Sequence, residues 1–189
     1  LNTEKLIKTA KHYQVRGQHE DALRTYQDAL AIDPKCSEAL HELGMIHFRS
    51  GDISMAITLL KGATKYVDRR ADFHNNLGTI LQTSGNLDAA EKAFRKALTL
   101  DRNLVPALVN IGSLLLDRLH VAGALKALNR AVDLAPENST ALSTYAEAKK
   151  MSGDVVEALS LQLKAAGTNP LADFVWLNLA NTHMDLEQW

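Results

Sequence analysis

A single cysteine, Cys36, stands among 189 residues, so no disulfide can form within the chain and a site built on paired thiolates is excluded. Such a chain suits a reducing compartment, and cytoplasmic residence is the expectation. Only 5% of residues are aromatic, with four prolines and ten glycines, and β-branched runs are nearly absent. No apolar run approaches the ~20 residues that cross a bilayer, and no basic-then-apolar leader is visible. The chain does open at Leu1, where a processed N-terminus would leave no trace. A charge excess is missing too. Lysine and arginine total 21 against 22 acidic residues, a formal charge of −1. Nucleic acid is therefore not the expected partner, since it calls for a basic stripe. What is abundant is alanine and leucine, both strong helix formers.

Those residues recur with a fixed spacing. Ala22, Ala56, Ala90, Ala124 and Ala158 stand 34 residues apart, each followed by a second small residue at Ala29, Ala63, Ala97, Ala131 and Ala165. A parallel set runs upstream through Ala10, Gly44, Gly78, Gly112, Ala146 and Ala180. An unbroken period of this length predicts a solenoid of helix pairs. Five units follow, at 3–36, 37–70, 71–104, 105–138 and 139–172, with a partial sixth at 173–189. Together they are read as one domain over 1–189. Gly17, Gly51, Gly85 and Gly153 mark the break inside a unit, where the fourth unit has Leu119 and must turn without glycine's φ freedom. Asp33-Pro34, Ala135-Pro136 and Asn169-Pro170 close three units. The glycines at 44, 78 and 112 are expected to admit a neighbouring helix, with Leu77 and Phe94 filling the space around the contact.

Leu6, Thr9, Ala10, Tyr13, Ala22, Tyr26, Ala29 and Pro34 match the pattern of the tetratricopeptide repeat family, as do His74, Leu77, Gly78, Leu81, Ala90, Phe94 and Ala97. The resemblance covers the whole chain. It departs from the family at the fourth position, where the usual aromatic appears only as Trp176. The resemblance implies an all-α, right-handed superhelical solenoid of antiparallel helix pairs whose first helices line a concave groove. It also implies that the groove binds a protein or an extended peptide, without catalysis or cofactor.

On that implication, the groove residues are Lys8, Lys11, His41, Met45, Phe48, Asn75, Asn76, Thr79, Asn110, Ser113, Thr144 and Asn178, with Ile7, Gln14, Glu42, Gln82, Val109, Leu116, Ser143, Glu147, Lys150, Leu177 and Asn181 also turned inward. Asn76, Asn110 and Asn178 hold one place in three units, where Lys8, Glu42 and Thr144 stand in the others. An asparagine amide both donates and accepts, so such a column could grip a peptide backbone without reading its sequence. This resembles the asparagine ladder in the repeat region of O-linked N-acetylglucosamine transferases and their bacterial relatives. An acidic C-terminal tail is a poor fit, because Glu42 and Asp72 stand where a carboxylate clamp needs cations. Met45, Phe48 and Leu116 offer apolar anchors for an amphipathic helix instead.

Bond-making chemistry finds no support. The seven histidines form no i, i+4 pair around a carboxylate and have no cysteine at metal-ligand spacing. Nor is there a glycine-rich phosphate loop or a nucleophile elbow. The chain stops where a sixth second helix should begin, so it reads as part of a longer repeat region. Two functions follow: a non-catalytic scaffold that holds a partner, or the substrate-recruiting arm of a larger enzyme, most plausibly a protein glycosyltransferase. A lone sixth helix would leave apolar surface that a second copy could cover, so self-association through terminal repeats is a further expectation.

Overall fold

Thirteen- and fourteen-residue helices alternate along the described residues. The computed structural model describes residues 2–168; the partial sixth unit, with Trp176 and Asn178, lies outside them. The helices are α1 (Thr3–Val15), α2 (His19–Ile32), α3 (Ser37–Arg49), α4 (Ile53–Tyr66), α5 (Ala71–Thr83), α6 (Leu87–Leu100), α7 (Val105–Asp117), α8 (Val121–Leu134), α9 (Ser139–Met151) and α10 (Val155–Thr168). They form an all-α solenoid of antiparallel pairs in two compact units, divided after Leu100.

At the starts of α1, α4 and α9 a side chain satisfies one of the first free N–H groups, whereas α2, α3, α5, α7 and α8 begin without such a bond. Asn2 Oδ1 accepts from Glu4 N at 3.1 Å, Asp52 from Met55 N at 3.1 Å and Asn138 from Ala141 N at 2.9 Å. Asp33-Pro34 and Ala135-Pro136 follow the ends of α2 and α8 directly. Inside each pair the chain reverses through a left-handed residue. Four of these are glycines, with φ between 73° and 90°; the fifth is Leu119, at φ 60°. The fourth turn is thus made in the glycine conformation without a glycine.

In the first unit α1–α6 stack as three pairs. Tyr26, Leu60 and Phe94 are fully buried, one from the second helix of each pair. Leu60 presses on Gly44 and Phe94 on Gly78, where a Cβ would lie 2.6 Å from the Phe94 ring. The expected close crossings are therefore present, and the glycines make room for them. The second unit repeats the device with Leu128, whose Cγ would sit 2.5 Å from a Cβ on Gly112. Its core also takes in Leu114, Leu142 and Ala146, all fully buried.

Candidate functional site

Residues of successive first helices meet at regular sequence offsets. In the first unit Lys11 pairs with Glu38, Gln14 with Glu42, and His41 with Asn76, at separations of 27, 28 and 35 residues. The offsets 28 and 35 differ by two helical turns, so these contacts share the facing sides of adjacent first helices.

From these contacts a single chain of hydrogen bonds crosses the unit. The Tyr26 hydroxyl donates to Gln14 Oε1 at 2.7 Å, and Gln14 Nε2 donates to Glu42 Oε2 at 3.2 Å. The other oxygen of Glu42, Oε1, lies 3.0 Å from His41 Nδ1. His41 Nε2 lies 2.9 Å from Asn76 Nδ2, and Asn75 Nδ2 donates to Asn76 Oδ1 at 3.4 Å. An ionised carboxylate only accepts, so Nδ1 of His41 carries the proton and Nε2 accepts from Asn76. Every donor in the chain therefore points toward Glu42. The hydrogen bond from His41, joined by that from Gln14, holds the Glu42 carboxyl below the usual range against the opposing effect of burial. Burial, with Glu42 adding, pushes the Tyr26 phenol up, so it stays a donor.

The His41 ring is also fixed by stacking. It lies parallel to Phe73, centroids 4.0 Å apart and planes within 6°, and the Arg70 guanidinium sits 4.3 Å from that same ring's centroid. Arg70 in turn binds Asp72 through two hydrogen bonds of 2.9 and 2.6 Å.

Against this geometry the expected groove residues separate into groups. His41 and Asn75, expected to face a partner, are only 6% and 7% exposed and belong to the packing. Ile7, Val109, Leu116 and Ser143 are buried as well. The correction has one physical reason: each first helix also packs on its neighbouring helices, and that contact consumes one edge of the presumed groove face. Asn76 is half-buried beside His41, and Thr79 is half-buried with its hydroxyl donating to the Asn75 carbonyl at 3.2 Å. Met45 and Phe48 are half-buried on α3. Lys8 is exposed, 3.6 Å from Glu4, and Lys11 borders a recess of about 390 Å³ with Ile7 and Glu38. Asn110 and Ser113 on α7 and Thr144 on α9 are half-buried in the second unit. The structure thus gathers His41, Asn75 and Asn76 in one network and leaves Lys8 apart from it.

Sequence reasoning placed Gln14 and Glu42 on the inward face but did not foresee their hydrogen bonds to each other, to Tyr26 and to His41. The signal was available in the offset, since Asn76 stands one residue beyond the repeat-equivalent of His41 and so on the side that faces it. On the first unit's face Lys11 pairs with Glu38 and Arg70 with Asp72, while the Glu42 carboxylate is bonded to the neutral His41 ring and keeps its charge. Among the described residues no group of three or more metal-ligating side chains gathers, and no helix is long and apolar enough to cross a membrane.

Comparison with known proteins gives a consistent result. Tetratricopeptide repeat patterns match residues 16–80, 71–104 and 109–173. Tetratricopeptide repeat protein 7B of Homo sapiens is 34% identical over 88 residues, which is 47% of this chain and 10% of that protein. The chain therefore spans about a tenth of that relative. Pseudomonas aeruginosa pilF superposes with a TM-score of 0.83 at 19% identity, over 98% of this chain and 90% of that one. YrrB, described as a repeat protein with an unusual peptide-binding site, does so with a TM-score of 0.73 at 20% identity, over 93% and 90%.

Proposed function

Because the chain belongs to the tetratricopeptide repeat family, we propose that it is a non-catalytic scaffold that holds an extended segment of a partner protein on its first helices. The observation that carries this reading is Asn76. Its amide is half-buried and is held in one orientation by His41 and Asn75. Each end of that amide has capacity for a second hydrogen bond beyond the one it makes. A pre-oriented amide loses little freedom when a peptide group binds it. Lys11 and Arg70 are taken up by Glu38 and Asp72, and the charge left beside the amide is the Glu42 carboxylate, which favours a neutral polar backbone over an acidic tail. The peptide-binding site described for YrrB supports the same use of the fold. In the second unit, Asn110, Ser113 and Thr144 are the corresponding candidates for contact.

The test uses peptides selected from a displayed random library by the whole chain at neutral pH. Calorimetric titration of those peptides into wild type and Asn76→Ala compares their affinities. One net hydrogen bond of about 0.5–1.5 kcal/mol corresponds to a two- to twelvefold loss. The loss should be similar for peptides of unrelated sequence, because a backbone grip reads no side chains. Equal dissociation constants, with unchanged circular dichroism, would remove Asn76 from the site and leave Met45 and Phe48 as the anchors to examine.

A further inference from the structure

The chain of donors that converges on Glu42 has two self-consistent arrangements, one for each charge state of His41. With a neutral ring, the carboxylate takes the Nδ1 proton and Nε2 accepts from the Asn76 amino group at 2.9 Å. A second proton can go only to Nε2. Two donors would then face each other at that distance, and the Asn76 amide must turn over so that Oδ1 accepts from the ring. The turn exchanges oxygen for nitrogen at nearly equal size, so packing does not resist it. It exchanges the 3.4 Å bond from Asn75, the longest in the chain, for a meeting of two amino groups at that looser contact, and gains a charge-assisted bond at the 2.9 Å one.

The ring cannot avoid this choice by moving. It is 6% exposed and clamped parallel to Phe73, with Arg70 also against that ring. The charges around it are accounted for. On its own helix stand Glu38, Glu42 and Arg49; Lys11 comes from α1; and Asp72 comes from α5, with Arg70 just before it. Tyr26 of α2 bonds to Gln14, and Lys61 and Lys65 of α4 are solvent-exposed. Lys11 pairs with Glu38 and Arg70 with Asp72, which leaves Glu42 as the charge bound directly to the ring.

We propose that a proton on His41 reverses the hydrogen-bond polarity of Asn76, making this amide a pH-operated contact within the partner-binding face. The inference rests on the reading of Asn76 as that contact. A peptide group that meets Oδ1 when the ring is neutral meets Nδ2 when it is charged, so a bound backbone must release or shift its register.

Nitrogen-15 magnetic resonance of the whole chain, without ligand, tests the reversal across the pH range in which the chain stays folded. At the alkaline end the His41 ring should show its proton on Nδ1 and a through-hydrogen-bond coupling between Nε2 and Asn76 Nδ2. As the ring titrates, the coupling should vanish and the Asn76 amino resonances should move with the same midpoint. His41→Phe preserves the stack on Phe73 and should make the Asn76 amide insensitive to pH over this range. The proposal is overturned if the coupling survives ring protonation, or if the neutral ring carries its proton on Nε2. It is equally overturned if the Asn76 shift persists in His41→Phe, since another group would then be its cause. No peptide enters the measurement, so failure of the binding reading and failure of the switch are told apart.

Discussion

Leu119 shows at the scale of one residue how the repeat tolerates a departure from its own rule. Its turn adopts the left-handed conformation that glycine supplies in the other four pairs, with φ at 60° and the side chain 76% exposed. That conformation costs a residue with a Cβ roughly 1–2 kcal/mol, and the exposed side chain recovers little of it through packing. Glycine would relieve the strain but lose more entropy on folding, by about 0.5–1 kcal/mol. Leu119→Gly should therefore stabilise the second unit by a net ~0.5–1 kcal/mol, read as a higher urea midpoint with an unchanged slope. A lower midpoint would show that the leucine side chain contributes a contact that outweighs its backbone strain. The same scale explains why Asn76 is not simply a solvated polar residue: its neighbour His41 dictates which way the amide points.

Between elements, the helix crossings decide what a glycine is worth. Gly78 and Gly62 both sit inside helices, where replacing glycine by alanine gains about 0.8–1 kcal/mol of intrinsic preference. At Gly62 that gain should be realised, because the nearest atom to a new Cβ is Leu40 Cδ1 at 3.4 Å, an ordinary contact. At Gly78 the Cβ would meet the fully buried ring of Phe94 at 2.6 Å, so α5 and α6 would have to separate. Overpacking of this kind costs typically 1–3 kcal/mol. Gly62→Ala should raise the denaturation midpoint and Gly78→Ala should lower it, with Gly78→Leu lower still. Hydrogen exchange should speed up first in α5 and α6, because a repeat array transmits damage mainly to neighbouring helices. Equal effects at the two glycines would mean that the crossings are not close.

For the molecule as a whole, acid acts in part through carboxylates of the first unit, Glu42 and Asp72 among them. The hydrogen bond from His41 lowers the folded pKa of Glu42, and that from Arg70 lowers the folded pKa of Asp72. A depressed folded pKa contributes stability that is present above the unfolded carboxyl value, near 4, and is lost as pH falls through the lower folded value. The first unit should therefore weaken progressively below about pH 4. Glu42→Gln should reduce stability at neutral pH and flatten that acid dependence, as measured by urea midpoints at several pH values. An unchanged slope in the variant would show that Glu42 does not carry the linkage.

Much of this architecture was legible in the amino-acid order alone. The 34-residue spacing of small residues, the turn glycines and the prolines after α2 and α8 are local or periodic signals, and periodic signals survive without coordinates because every copy repeats them. The pairing of Gly78 with Phe94 was legible for the same reason, since a small residue recurs opposite a large one in unit after unit. The groove residues were not legible to the same degree. Membership of a first helix says that a side chain can face inward, but the next helix decides whether it is free to do so. His41 and Asn75 were therefore expected in the groove and are found in the packing, while Gln14 and Glu42 become partners only when α1 and α3 are brought side by side. Hydrogen bonds between residues 28 or 35 positions apart depend on how two helices are rotated against each other. That rotation is settled by tertiary packing, and repeat periodicity alone leaves it undetermined.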